Sequence, residues 1–164
     1  MLDLKLIAAQ EKDIPLIAEL AQLIWNQHYP DIISREQIGY MLGRIYSSAS
    51  LTEQMREKKH LFFLIQQNKT AIGFISVHRE TGDDWFLNKF YINQEVAAKG
   101  LGGAAFELLK EQIAPQKITL TVNRQNFKSI NFYFKQGFKI DHVADFDIGD
   151  GYVMNDFVMV WNNH

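Results

Sequence analysis

The sequence predicts a single mixed α/β domain, of the α+β type, over residues 1–164. Apolar residues recur at helical spacing in the first third of the chain and at strand spacing in the middle third. A chain of 164 residues is long enough to bury its own core, and it contains no repeat, linker or low-complexity stretch. One domain is therefore the simplest organisation.

Composition narrows the class of protein. The chain has no cysteine, which excludes disulfides, thiolate metal sites and cysteine nucleophiles and fits a cytoplasmic location. A net charge of −2 gives no reason to expect nucleic acid as a partner. No signal peptide or membrane-length apolar run is present, so we expect no membrane association. The histidines lack metal-ligand spacing, so we expect no metal.

The N-terminal third predicts one strand followed by two or three helices. Residues 2–7 alternate apolar and polar side chains, as a half-buried strand does. Asp13 is the expected cap of the first helix. Ser34 and Gln37 have capping-box spacing at the start of a second helix, and a third helical stretch covers 51–58.

The rest of the chain alternates between strands and helices. Asn68 and Lys69 form a predicted hairpin turn between two dense apolar runs. The predicted elements are strands over 61–65, 70–78 and 85–92, a loop over 93–103, a helix over 104–113, a strand over 117–122, a helix over 126–136 and strands over 138–146 and 152–161.

A glycine-containing loop, Lys99-Gly100-Leu101-Gly102-Gly103, separates a predicted strand from a predicted helix. Glycine lets backbone N–H groups approach an anion closely, and the first N–H groups of a helix have no partner within it. Such a helix start favours phosphate. The spacing matches neither the phosphate-loop pattern nor the dinucleotide fingerprint, so by itself a tight turn is the simpler interpretation.

A second segment follows about thirty residues later. Asn126 lies at the start of a predicted helix, Tyr133 lies in its second half, and Gly137-Phe138 ends it. Taken alone, Asn126 is an ordinary helix cap and Tyr133 an ordinary core aromatic.

Together the two segments resemble the GNAT superfamily of acetyl-CoA-dependent N-acetyltransferases. The family pattern is Gln/Arg-x-x-Gly-x-Gly/Ala before a helix, followed by Asn-x-x-Ala-x-x-Phe/Tyr-Tyr-x-x-x-Gly-Phe. Gly100 and Gly102 match the first motif, and Asn126, Tyr133 and Gly137-Phe138 match the second. The resemblance implies the GNAT fold: a mixed, mostly antiparallel central sheet of about seven strands flanked by about four helices.

The same resemblance implies an acyltransferase that uses acetyl-CoA as co-substrate. An amine attacks the thioester directly, and Tyr133 is the general acid that protonates the departing CoA thiolate. The strand over 87–92 splays from its neighbour to admit the cofactor. Residues assigned to cofactor binding are Phe90, Tyr91, Ile92, Ala97, Ala98, Lys99, Gly100, Leu101, Gly102, Gly103, Ala104, Asn126 and Lys135. Ala97 replaces the usual Gln or Arg, so we expect weaker cofactor binding, partly offset by Lys99.

The general base and the acceptor are less constrained. Asp83, Asp84, His78, His28 and an ordered water are all candidates for the base. The stretches H-Y-P-D-I-I-S and D-I-G-D-G-Y-V-M-N-D-F resemble bacterial spermidine/spermine (polyamine) acetyltransferases. A polyamine-like small amine is therefore the favoured acceptor, and the expected substrate-binding residues are Tyr29, Asp31 and Asp156.

Three alternatives stay open at this point. The acceptor is a protein N-terminus or a lysine, the chain is an acetyl-CoA sensor without turnover, or it is a plain α/β domain that binds another nucleotide. Tyr133 weighs against the sensor, since a chain without catalysis does not need that residue. A homodimer is also expected, because terminal strands in such folds can pair between subunits.

Overall fold

A computed structural model describes residues 3–163, in which seven strands form one sheet. The strands are β1 (Leu4–Ala8), β2 (Leu61–Gln67), β3 (Thr70–Thr81), β4 (Asp84–Ile92), β5 (Lys117–Asn123), β6 (Lys139–Gly149) and β7 (Tyr152–Asn162). The α-helices are α1 (Ile14–His28), α2 (Arg35–Tyr46), α3 (Ser48–Arg56), α4 (Leu101–Ile113) and α5 (Phe127–Lys135).

The sheet order is β1-β2-β3-β4-β5-β7-β6. Five of its six neighbouring pairs are antiparallel, and only β4 and β5 run parallel. The mixed, mostly antiparallel sheet is thus confirmed. The helix count is five rather than about four. The third helical stretch expected over 51–58 is present as α3, which begins earlier, at Ser48, where the Ser47 side chain caps it by accepting a hydrogen bond from the Ser50 N–H at 3.2 Å.

Two of the N-terminal expectations have different outcomes. Ser34 does cap α2, since its Oγ accepts from the Gln37 N–H at 3.1 Å. Asp13 does occupy the N-cap position of α1, but its side chain makes no capping hydrogen bond to that helix, which follows directly on a short 3-10 turn over Glu11–Asp13. The Asp13 carboxylate instead accepts from the Gln10 N–H at 2.8 Å. Leu2, where the first strand was expected to begin, lies outside the described residues.

Each face of the sheet carries its own apolar core. Helices α1, α2 and α3 cover one face, where Trp25, Leu51 and Phe74 are buried. Helix α4 covers the opposite face with Leu101, Phe106 and Leu109, and α5 adds Ile130. Among residues 3–163, no helix has both the length and the apolar character that a membrane crossing requires.

Two irregularities of β4 shape the centre of the molecule. Its parallel pairing with β5 covers only Asp84–Phe86 against Lys117–Thr119, and beyond this the strands separate. The structure therefore contains the splay that the resemblance implies. A bulge at Asn88 breaks the pairing with β3 between Leu87 and Lys89. Because an extra residue shifts the alternation of side chains, Leu87 joins the α4 core while Lys89 reaches the α1–α3 face.

Close backbone approaches surround the end of β4. A Cβ on Gly73 of β3 would lie 2.1 Å from the Tyr91 carbonyl oxygen, so only glycine fits there. Gly100 has φ +84° and precedes α4, which begins at Leu101 rather than at the expected residue 104. Gly102 and Gly103 therefore lie in the first turn of the helix and not in the loop.

Candidate active site

Two cavities open where β4 and β5 separate. The first, about 280 Å³, lies between these strands, β7 and helices α1 and α2; we name it the aromatic cavity. Its aromatic walls are Trp25, Tyr29, Tyr46, Phe90, Tyr91, Tyr133 and Phe146. The second, about 580 Å³, lies between the end of β4, the start of α4 and α5; we name it the glycine-loop cavity. Phe90, Ser129 and Tyr133 line both cavities, so the two spaces meet at these residues.

The glycine-loop cavity has the features of an anion site. Gly102 and Gly103 occupy the first turn of α4, where backbone N–H groups have no partner within the helix. The positive end of the helix dipole adds to the attraction for an anion. Three lysines also line this cavity: Lys99, Lys128 and Lys135. This combination fits a ligand with several phosphate charges.

Two predicted N–H donors are already used within the chain. The Leu101 N–H donates to the Ala98 carbonyl at 3.1 Å, and the Ala104 N–H donates to the Gly100 carbonyl at 3.0 Å. The Leu101 side chain is fully buried in the core. Leu101 and Ala104 therefore position the start of the helix, and Gly102 and Gly103 remain available to an anion.

The start of α4 packs directly against α5. A Cβ on Gly102 would lie 2.9 Å from the Phe132 ring, so the glycine allows the two helices to meet. At Gly103 the nearest atom is the Gln136 side-chain nitrogen at an ordinary 3.5 Å. The glycine at 102 is thus required by packing, whereas the one at 103 tolerates a side chain.

Tyr133 lies on α5 at the junction of the two cavities. Its ring packs edge-on against Phe132 and Phe138 at centroid distances of 5.3 and 5.4 Å, which fixes its position. Burial raises the pKa of the Tyr133 phenol above its usual value. The hydroxyl therefore carries its proton at neutral pH and is a proton donor.

Asn126 holds the start of α5 rather than lining the glycine-loop cavity. Its Oδ1 accepts from the Ser129 N–H at 3.3 Å and lies 3.1 Å from His28 Nε2. The side chain of Asn126 is buried and faces the aromatic cavity, while His28 lines the glycine-loop cavity. Burial lowers the pKa of His28, which keeps the imidazole largely neutral at pH 7.

The predicted site residues fall into three groups. Those that line the glycine-loop cavity are Phe90, Ile92, Ala97, Ala98, Lys99, Gly100, Gly102, Gly103, Tyr133 and Lys135. Those that line the aromatic cavity include Tyr29, Tyr91, Asn126 and Asp156. Leu101, Ala104 and the exposed Asp31 line neither cavity.

Asp156 is a buried carboxylate on β7 that faces the aromatic cavity. It is 5% exposed, and its Oδ1 has no hydrogen-bond partner among the described residues. Burial raises the pKa of Asp156 from 3.8 to about 6, with Arg124 and the Thr121 hydroxyl opposing the shift. A buried hydrogen-bond acceptor atom without a partner destabilises the fold, unless a ligand donates a hydrogen bond to it.

Lys89 also lines the aromatic cavity, and sequence reasoning missed it. It is 9% exposed, donates to Gln54 Oε1 at 2.7 Å, and lies 5.7 and 5.3 Å from the ring centroids of Tyr46 and Phe62. Burial, and secondarily the charge of Lys58, lowers the pKa of Lys89 to about 7. A lysine within a predicted strand rich in apolar and aromatic residues was the available signal.

The structure separates the candidates for the general base. Asp83 and Asp84 lie at the β3–β4 turn, at the opposite end of β4 from the cavity junction. His78 lies 2.9 Å from Asn88 Oδ1 through its Nδ1. None of these three lines either cavity, whereas His28 does. Asp156 is the only carboxylate among the described residues that line the two cavities.

Comparison with known proteins agrees with this geometry. The profile of the acetyltransferase (GNAT) domain family matches residues 31–148. A spermidine N(1)-acetyltransferase of Thermoplasma acidophilum is 30% identical over 138 residues, covering 79% of this chain and 84% of the relative.

Solved structures share the fold over nearly the whole chain. The crystal structure of PaiA N-acetyltransferase from Thermoplasma acidophilum in complex with coenzyme A has a TM-score of 0.74 and 26% identity, and the match covers 98% of this chain and 99% of that one. The spermidine/spermine N-acetyltransferase SpeG from Vibrio cholerae has a TM-score of 0.66 and 18% identity, with 97% and 93% covered, which shows the shared fold alone. The glycine-loop cavity, the splayed strands and the family match lead to one conclusion: the chain belongs to the GNAT family and is an acetyl-CoA-dependent N-acetyltransferase.

Proposed function

We propose that this enzyme transfers the acetyl group of acetyl-CoA to a primary amine of a small molecule, with Tyr133 as the general acid. The observation that carries the proposal is the position of Tyr133, which lines both cavities where they meet. A donor in one cavity and an acceptor in the other would place the reacting atoms beside its hydroxyl.

The glycine-loop cavity is the proposed binding site of acetyl-CoA. Gly102 and Gly103 offer free N–H groups to the pyrophosphate, and Lys99, Lys128 and Lys135 add positive charge. The unpaired end of β4, from Leu87 to Ile92, offers backbone groups to the pantetheine arm. Acetyl-CoA supplies the thioester that the amine attacks.

The aromatic cavity is the proposed binding site of the acceptor amine. Asp156 supplies a buried carboxylate whose Oδ1 has no hydrogen-bond partner among the described residues, as an ammonium group needs, and Tyr29 supplies a neighbouring ring. Burial raises the pKa of Asp156 to about 6 and favours the neutral form of the bound amine. A raised pKa of Asp156 and a lowered pKa of the bound amine lie closer together than the two values do in water. Asp156 is therefore also positioned to accept a proton from the amine.

The proton balance defines the two roles. The ammonium loses one proton to Asp156 before attack; the N–C bond then forms and the C–S bond breaks. Tyr133 Oη donates its proton to the thiolate and regains one from the new amide nitrogen. Asp156 releases its proton to solvent, so each turnover liberates one proton.

The similarity to a spermidine N(1)-acetyltransferase, at 30% identity, favours polyamines as the class of acceptor. We therefore propose polyamines as one candidate class, resting on that similarity. The alternative acceptor is a protein N-terminus or a lysine side chain, which would require a more open acceptor cavity than a small amine does. The homodimer and the cytoplasmic location expected from the sequence stay predictions.

The test is free-thiol release from acetyl-CoA by the purified enzyme. The panel contains spermidine, spermine, simple monoamines, amino acids and a lysine peptide. Release with a small amine supports the proposal. Release with the peptide alone supports the protein-directed alternative. Calorimetric binding of acetyl-CoA without release for any amine would support the non-catalytic sensor and overturn the proposal.

A charge placed at Gly103 tests the proposed phosphate site. Gly103→Asp is expected to raise the acetyl-CoA dissociation constant at least ~10-fold above that of Gly103→Asn, because a carboxylate a few ångströms from the pyrophosphate repels it. The position tolerates a side chain, and both residues are accepted in the first turn of a helix. Calorimetry with acetyl-CoA measures the difference.

The two substitutions have nearly the same size and differ in charge, so the Asn variant controls for lost glycine flexibility. Equal dissociation constants in the two variants would show that the phosphates bind elsewhere. Raising the salt concentration should narrow the gap between the variants, since the effect is electrostatic.

A further inference from the structure

One phenylalanine of the aromatic cavity differs from the other rings of its wall. Phe146 on β6 lines the cavity and is 41% exposed. Every other aromatic ring of the wall packs against a further ring of the protein, whereas Phe146 has no ring partner among the described residues. Aromatic rings gain from packing against another ring in addition to the apolar area that they bury. The ring of Phe146 is therefore available to a ligand in this cavity.

The register of β6 and β7 places Phe146 beside Asp156. Asp156 pairs with Ala144, and Phe146 follows Ala144 by two residues on the same strand. No bulge interrupts the pairing between His142 and Asp147. Because side chains two residues apart on a strand share one face, Phe146 and Asp156 are diagonal neighbours on that face, with roughly 7–8 Å between their Cα atoms. The buried carboxylate and the available ring therefore belong to one surface of the cavity.

The carboxylate of Asp156 also lies near the tyrosines of this cavity. Burial raises the pKa of Tyr91 above its usual value, and Tyr133 and Asp156 add smaller contributions in the same direction. The pKa of Tyr29 is raised by burial as well, again with smaller contributions from Tyr133 and Asp156. Electrostatic contributions of this kind weaken with distance, so these four side chains share one compact space. An amine held by Asp156 thus lies on the same side of the cavity as the proposed acid.

The wall of the aromatic cavity offers a single counter-charge to a cation. Asp156 is the only carboxylate among the described residues that line it. The ammonium of Lys89 is held against Gln54 and Phe62, neither of which lines the cavity. A second ammonium inside the cavity would lose its hydration without gaining a carboxylate, and cation–π contacts alone do not make up that loss. The wall therefore favours a ligand with one positive charge and an apolar remainder.

We infer that the acceptor is an arylalkylamine, a monoamine whose ammonium binds Asp156 and whose aromatic ring packs against Phe146. The inference rests on the proposed function and names the substrate class of the same site. A short alkyl arm between amine and ring matches the spacing of diagonal neighbours on a sheet. The cavity of about 280 Å³ lies close to the lower end of the range for small-molecule sites, roughly 300 Å³, so one such molecule fills it.

Matched acceptors test the inference directly. Initial rates of thiol release are measured with phenethylamine, n-octylamine and heptamethylenediamine, which have the same number of non-hydrogen atoms. We expect kcat/KM for n-octylamine to exceed that for heptamethylenediamine at least ~10-fold, because the distal ammonium of the diamine finds no carboxylate. Phenethylamine should exceed n-octylamine at least ~3-fold, since its ring packs against the ring of Phe146.

Phe146→Ala assigns the ring contact to this side chain. The variant is expected to fold because Phe146 is exposed, and kcat/KM for phenethylamine should fall at least ~10-fold. n-Propylamine has no group that reaches the ring, so its kcat/KM should stay nearly constant. Val143→Ala is the control, since it truncates an exposed apolar residue of the same strand that lines neither cavity. If Phe146→Ala does not fold, the matched amines on the unmodified enzyme still decide.

The outcomes separate this inference from the proposed function. A higher kcat/KM for n-octylamine, heptamethylenediamine or spermidine than for phenethylamine overturns the inference and leaves the amine acetyltransferase intact. Equal rates with phenethylamine in Phe146→Ala and Val143→Ala also overturn it. No thiol release with any small amine overturns both the inference and the proposed function.

Discussion

Replacing Tyr133 with Phe is expected to lower kcat roughly 10²–10⁴-fold while the acetyl-CoA dissociation constant stays nearly constant. The substitution removes the hydroxyl of a residue that lines both cavities and keeps the ring that packs against Phe132 and Phe138. Without this donor, the thiolate must leave unprotonated or wait for a water molecule. Steady-state thiol release gives kcat, and calorimetry gives cofactor affinity.

Tyr91→Phe is the matched control for this prediction. It removes another tyrosine hydroxyl from the aromatic cavity, one that pairs with the Tyr29 hydroxyl at 3.0 Å. Tyr91 does not line the glycine-loop cavity, so its variant should lose much less activity. If both variants lose the same activity, the effect reflects cavity structure and the proton donor must be sought elsewhere. A Tyr133→Phe enzyme with full kcat would remove Tyr133 from the acid role outright.

Replacing Asp156 with Asn is expected to lower kcat/KM for the amine roughly 30- to 1000-fold, because a buried ammonium then loses its charged partner. Cofactor affinity should not change, since Asp156 does not line the glycine-loop cavity. Asp145→Asn is the matched control: its carboxylate is exposed and pairs with Arg124 outside the cavity. The same loss in both variants would indicate a general charge effect.

The pH dependence of Asp156 gives a second measurement. With a pKa of about 6, Asp156 is protonated in acid, so kcat/KM should fall below about pH 6 with a limb that Asp156→Asn lacks. The effect of pH on folding stability through this group has the opposite sign to its effect on kcat/KM. Between 3.8 and about 6 the folded state binds a proton that the unfolded state has released. Stability contributed by this group therefore decreases as pH rises through that window. The Asn variant should be no less stable than the parent enzyme at pH 7.

The fold and the cofactor side of the site could be predicted because local chemistry encodes them. The turn at Asn68 and Lys69 needs positive φ at both residues, and the structure has φ of 50° and 71°. The glycines before α4 and Asn126 before α5 mark helix starts that backbone rules recognise. Tyr133 could be singled out as a candidate residue because it matches the second family motif.

The acceptor side could be predicted only in part. Tyr29 and Asp156, which the sequence singled out, line the aromatic cavity, but the other residues of that cavity meet only across strands. Asp31 matched the idea of an acidic entrance yet lies exposed and outside both cavities. Leu101 and Ala104 were expected to bind phosphate, but their N–H groups complete hydrogen bonds within the loop and helix. Spacing along the chain does not show which donors are already used.

The sequence by itself predicted the order of elements and, through the two family motifs, a cofactor at the start of α4, since each depends on residues close together in the chain. The tertiary structure decided which of the predicted residues line the two cavities. A single extra residue at Asn88 moves Lys89 to the face opposite Leu87, against the alternation that a regular strand predicts. The separation of β4 from β5 then opens the cavity that Tyr29 and Asp156 line. Bulges and strand divergence depend on packing between distant segments, so the acceptor site emerges only when the sheet has formed.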